Sequence, residues 1–145
     1  KGINGGEIEV DQTFLTAASV MYDAIYVPGG THSIAALKAH GEALNFLHEA
    51  FKHFKPIAAA GEGVELLIQS DLKGIDLSQT NGKVSDELGV VTLRDPVKME
   101  TFAQSFIDAI KEHRFWTRRS PGTASVEAAK IASGELKFDQ TAPIQ

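Results

Sequence analysis

The pattern that most limits what this chain can fold into occurs twice: a short apolar run empties into a glycine turn, and helical sequence follows. Asp23-Ala24-Ile25-Tyr26-Val27 is closed by Pro28-Gly29-Gly30, and Pro56-Ile57-Ala58-Ala59-Ala60 by Gly61-Glu62-Gly63. Short apolar runs bounded by turn residues read as buried strands. Gly89-Val90-Val91-Thr92-Leu93, β-branched and apolar, is a third. Helical sequence lies between and after them. Thr31 or Ser33 can cap a helix carrying Ile34, Ala35, Ala36 and Leu37, and Gly41 is a natural break behind it. From about Glu42 to His53, Leu44, Leu47 and Phe51 recur at +3 and +7, with acid at the front and base at the back to suit the helix dipole. Val64 to Ile68 is helical, and Asp95 caps a helix that Pro96 opens and that runs to about Arg114. Met99, Phe102, Ala103, Phe106 and Ile110 share one face of it. Apolar strands alternating with helices predict an α/β fold, a three-layer, doubly wound domain with a mainly parallel sheet.

Weaker signals complete the reading. Glu7-Ile8-Glu9-Val10-Asp11 alternates polar and apolar, as a half-exposed strand does. The loop-like stretch from Ser70 to Leu88 allows a short strand near Ile75 to Leu77, Ser125 to Ser133 suits a short helix, and Glu135 to Gln145 reads as a tail. Doubly wound folds begin on a buried strand followed by a helix, a βαβ unit takes roughly 30 residues, and nothing of that kind precedes Ile8. The expectation is a domain lacking its first βαβ unit, with a raw sheet edge.

Composition removes whole classes of function. Fourteen Lys and Arg against nineteen Asp and Glu give a net charge of -5, with no basic block, which speaks against nucleic acid as a partner. The chain has no cysteine, so disulfides, thiolate zinc sites and cysteine nucleophiles are excluded. No apolar run approaches the ~20 residues that cross a bilayer, and Lys1-Gly2-Ile3-Asn4-Gly5-Gly6 is no signal peptide, so a soluble segment of unassigned compartment is expected.

The turn at Gly61 is the candidate site. In nucleophile-elbow folds such a strand-turn-helix presents a reactive side chain above the sheet. Here the apex is Gly61, Glu62 follows, and no Ser, Thr or Cys lies between Ala58 and Leu67. Gly61-Glu62-Gly63 also resembles the start of a dinucleotide fingerprint, but position 66 is Leu, and Asp76, Asp86 and Glu87 compete as the acidic partner, so a structural turn is the preferred reading. The second turn, Gly29-Gly30, can offer backbone N–H groups to an anion, although without a nucleophile a plain turn is preferred. His32 is the histidine placed where ligands bind in such sheets. His48 and His53 are five apart and diverge on a helix, so no metal site is read, and Tyr22 and Tyr26, on or beside a strand, give no axial haem ligand. Trp116 with Arg118 and Arg119 forms a small basic-aromatic cluster suited to packing on a neighbouring domain or subunit.

Tyr22 to Gly30, Ile57 to Leu67 and the joining Val10-Asp11-Gln12-Thr13-Phe14-Leu15 resemble the C-terminal domain of large-subunit catalases, in wording closest to fungal members. The likeness runs from about Ile8 to Trp116, so 1–116 is expected as a flavodoxin-like domain of the DJ-1/PfpI, or class I amidotransferase-like, type, and 117–145 as an extension. Superfamily enzymes carry a cysteine where this chain has Gly61, whereas the catalase domains generally lack it. The resemblance therefore implies a segment with no catalytic residue, with Gly61, Glu62 and Gly63 as a vestigial elbow and Gly29, Gly30 and His32 as a vestigial pocket turn. It implies a parent that dismutates hydrogen peroxide at a haem held in another domain, with no cofactor in this segment. The implied partners are the haem-bearing domain and sister subunits of a tetramer. A chaperone-like holdase for unfolding clients is a further expectation, since Phe115, Trp116 and Phe138 lie near the end of the chain. A DJ-1/PfpI-type hydrolase or glyoxalase is the alternative that Gly61 disfavours.

Overall fold

A computed structural model describes residues 2, 4–78 and 82–118. Its strands are β1 (Ile25–Val27), β2 (Ile57–Ala60), β3 (Val84–Glu87) and β4 (Val90–Leu93), and its helices α1 (Thr31–Lys38), α2 (Gly41–Lys52), α3 (Gly63–Gln69) and α4 (Met99–Glu112). The sheet order is β1-β2-β4-β3, with β1, β2 and β4 parallel and β3 antiparallel to β4. All three runs expected as buried strands lie in the parallel part, as the α/β reading requires. β2 and β4 are buried at every residue, because they are central and covered on both faces.

Alternation along the strands sorts the core into two layers. Ile57, Ala59 and Val90 face α1, α2 and α3, where Leu47, Val64 and Leu67 pack against them. Ala58, Ala60, Val91 and Leu93 face α4, meeting Phe102 and Ala109. Full burial of side chains such as Leu67, Ile57 and Leu93 stabilises by about 1.5–3 kcal/mol each. Small Ala58 and Ala60 let Phe102 approach the sheet closely.

Four local expectations are corrected. Residues 7–11 form no strand, and Ile8 and Val10 are 81% and 74% exposed. Alternation makes a strand only when a neighbour supplies the ladder, and no strand among the described residues pairs with this segment. Residues 75–77 are likewise irregular. They run beside the sheet through side-chain bonds, in which Ser85 donates to the Asp76 carbonyl and the Asp76 N–H donates to Glu87. The strand in this region is β3 instead, joined to β4 by a tight hairpin with positive φ at Leu88 and Gly89. Neither Thr31, Ser33 nor Asp95 forms a side-chain cap: Gly30 precedes α1, and Pro96–Lys98 makes one 3₁₀ turn before α4. On α4 Phe102 and Ala109 are buried and Phe106 is half-buried against the sheet, while Met99 and Ile110 are 38% and 41% exposed, because only one ridge of the helix touches that face.

Among the described residues β1 is an edge strand, paired on one side only. The unit carrying these elements closes at Phe115, and Trp116 to Arg118 belong to a second unit, in which Trp116 is exposed. Arg119, Phe138, the expected helix at 125–133 and the tail lie outside the described residues.

Candidate functional site

In a parallel sheet the C-terminal strand ends share one rim, and ligands bind there in open α/β folds. Here β1, β2 and β4 end at Val27, Ala60 and Leu93, so Pro28-Gly29-Gly30, Gly61-Glu62-Gly63 and Arg94 arrive side by side. Of these, Gly29, Gly30, Gly61, Glu62 and Arg94 line one open cavity of about 570 Å³, with Tyr26, Thr31, Ala60 and Met99 completing its wall.

The elbow is built from glycine for two different reasons. Gly61 sits at φ +56°, in the left-handed region, and its N–H donates to the Leu93 carbonyl at 2.8 Å, tying the turn to β4. Gly63 begins α3 pressed against β1, where an added Cβ would lie 2.6 Å from the Val27 carbonyl oxygen. The apex therefore offers no reactive side chain, and the group that enters the cleft is Glu62. Its Oε2 accepts from the Gly30 N–H at 2.8 Å and its Oε1 from the Thr31 hydroxyl at 3.3 Å. The carboxylate thus sits at the N-terminus of α1 and serves as the cap that Gly30 cannot supply. The Gly30 N–H, then Glu62's own backbone N–H and the Thr31 hydroxyl, hold the Glu62 carboxyl below its ordinary range, with Arg94 adding attraction.

A second carboxylate ties the adjoining elements. Glu65 on α3 accepts from Lys38 at the end of α1 at 2.6 Å and from Arg94 at 2.5 Å. Those two hydrogen bonds hold its carboxyl low as well, Lys38 contributing most. Arg94, although it lines the cavity, is thereby turned toward α3.

Of the residues singled out in the sequence, Gly29, Gly30, Gly61, Glu62 and Gly63 come together at this rim. His32 does not: it is exposed on α1 and is not part of the cavity wall. Sequence reasoning missed Thr31 as a Glu62 partner and missed Arg94. The signal available was position alone, since Arg94 directly follows a buried strand and Thr31 directly follows a glycine turn. Among the described residues no group of three or more His, Asp or Glu could hold a metal ion, and no helix is long and apolar enough to cross a membrane.

The fold belongs to a recognised class. A solved two-domain protein from Anabaena variabilis, with DJ-1/ThiJ/PfpI-like and ferritin-like domains, superposes with a TM-score of 0.67 at 20% identity, over 83% of this chain and 40% of that one. That likeness shows the flavodoxin-like fold. Residues 4–120 match the C-terminal domain found in long catalases, and the chain belongs to that family. Relatives include catalase HPII of Mycobacterium avium (42% identical, 82% of this chain) and catalase-2 of Bacillus subtilis (39%, 80%). Catalase-1 of Neurospora crassa is 35% identical over 86% of this chain. These two bacterial relatives are more identical to it than the Neurospora one, so the family likeness does not single out fungi. The chain spans only 17%, 15% and 19% of those three proteins.

Proposed function

We propose that this chain is the non-catalytic C-terminal domain of a long catalase, in which it stabilises the parent and contributes to tetramer assembly. The observation that carries the proposal is the elbow. Where a nucleophile would stand there is Gly61, and the adjoining Glu62 carboxylate is spent on Gly30 and Thr31. Peroxide dismutation belongs, in this reading, to a haem held by the rest of the parent. The described residues do not fit an axial haem site: none is cysteine, the five histidines are all exposed, Tyr22 and Tyr26 are 37% and 46% exposed, and the Tyr26 ring leans on Phe102 and Phe106. Residues 1–116 form the domain in this reading, and 117–145 an extension.

The role in assembly draws support from the other side of the molecule. The unpaired edge of β1 borders an apolar groove of about 290 Å³ lined by Phe14, Tyr22, Ile25, Tyr26 and Phe46. The Ile25 N–H donates inward to Pro56, so in a parallel ladder the backbone of Tyr26 faces outward. Among the described residues no strand pairs with the outer side of β1, and one strand from the parent chain added there would extend the sheet.

Two measurements test the proposal. The purified chain, supplied with haem, is expected to show neither a ligated haem spectrum nor peroxide consumption. Deleting the segment from the parent catalase is expected to lower its thermal inactivation temperature and shift its sedimentation away from the tetramer while haem is retained. An unchanged inactivation temperature and tetramer would contradict the proposal. A second reading, a holdase for unfolding clients, draws on exposed Leu15, Val20 and Met21 beside the groove. It predicts suppressed light scattering when a client enzyme is heated with the chain, and scattering equal to that with an inert protein rejects it. Conversion of a model glyoxal or amide by the chain would revive the hydrolase or glyoxalase alternative.

A further inference from the structure

The structure assigns Glu62 a second role beyond capping: it is a tethered anion that keeps its own cleft closed to free anionic ligands. Four observations meet at this side chain. The cleft lies at the rim where three parallel strands end, and it is roomy, at about 570 Å³. It holds the Gly30 N–H at the start of an eight-residue helix, flanked by the Thr31 hydroxyl, a pair of donors that attracts an anion. Both donors are already used by one carboxylate. The seat for that carboxylate is shaped by Gly29, where an added Cβ would lie 2.9 Å from Glu62 Oε2. Arg94, the cation on the cavity wall, is held by Glu65 at 2.5 Å.

The chemistry is that of intramolecular competition. A carboxylate fixed one residue beyond Gly61 meets Gly30 at a high effective concentration, so a small free anion in solution competes poorly for the same donors. Removing the carboxylate leaves the N–H and hydroxyl aimed into a cavity that can admit a small oxyanion. The ligand class excluded is therefore a carboxylate or phosphate, recognised by backbone N–H and hydroxyl donors rather than by a cation. The inference rests on the non-catalytic reading in explaining how the cleft is closed, yet the two fail separately: loss of the assembly role leaves the Glu62 contact untouched.

The test uses the full 145-residue chain and inorganic phosphate as the probe, read at the Gly30 and Thr31 amides by NMR. In the wild type, Gly30 exchanges slowly with solvent and phosphate leaves both resonances in place. In Glu62→Ala, Gly30 exchange is expected to quicken by roughly tenfold, the loss typical of a charge-assisted hydrogen bond, and phosphate moves both resonances saturably. Glu62→Gln keeps a neutral acceptor. It carries the test if the alanine variant does not fold, with a weaker phosphate response that still exceeds the wild type. A wild-type response equal to that of the variants, or no response in either variant, overturns the inference.

Discussion

The rim and the edge of this sheet are built on opposite plans. At the rim, donors and acceptors are matched within the chain: Glu62 meets Gly30 and Thr31, and Glu65 meets Lys38 and Arg94. At the edge, β1 has a neighbour on one side only among the described residues, and apolar side chains such as Leu15 (87%) and Val20 (73%) face outward. In a sheet of this class the rim is where small molecules are handled, and an open edge is where other chains add. The proposed non-catalytic role in assembly draws on that contrast.

That contrast can be broken first at the point where the rim is tightest. Gly63→Val places side-chain atoms into the Val27 and Pro28 carbonyls and the Val27 methyl, 2.6–3.1 Å from the position of Cβ alone. Neither partner backbone can retreat without tearing β1 from β2, so a loss of about 3 kcal/mol or more in denaturant unfolding is expected. Leu67→Ala, at a fully buried position of α3, is expected to cost about 2–5 kcal/mol and to leave the Gly30 amide protected, separating core from rim.

Smaller in size and sharper in diagnosis is the pH response of Glu62→Gln. The folded Glu62 carboxyl lies below its ordinary value of 4.5, chiefly because the Gly30 N–H donates to it. Its contribution to stability is therefore complete above 4.5 and is lost as pH falls below 4.5 through the depressed folded value. The stability gap between wild type and Glu62→Gln is expected to be constant at neutral pH and to shrink on acidification, measured by melting temperature across that range. A gap that does not depend on pH would remove the charged contact. The smallest effect belongs to the edge side: Leu15→Ser and Val20→Ser, at 87% and 73% exposed positions, are expected to change the stability of the chain by less than about 0.5 kcal/mol.

The sequence disclosed the parts of the fold that depend on local chemistry. Apolar runs closed by Pro28-Gly29-Gly30 and Gly61-Glu62-Gly63 announced β1 and β2, and the Leu44-Leu47-Phe51 spacing announced α2. It hid whatever depends on a distant neighbour. β3 is Val-Ser-Asp-Glu, polar enough to pass for loop, and becomes a strand because β4 pairs with it across the Leu88-Gly89 turn. Residues 7–11 carry the better strand pattern and stay irregular for want of a ladder. The candidate site divides the same way. The absent nucleophile at Gly61 was plain in the sequence, whereas the Glu62–Gly30 bond spans 32 positions and follows from the parallel register of β1 and β2.

Sedimentation of the proposed parent catalase tests the contrast most directly, with Leu15→Glu and Val20→Glu together in this domain and Glu62→Gln as its partner experiment. The account predicts that the charged surface pair dissociates the tetramer while peroxide turnover per haem persists, and that Glu62→Gln leaves the tetramer intact. A tetramer indifferent to the surface pair, or one lost with Glu62→Gln alone, would contradict it.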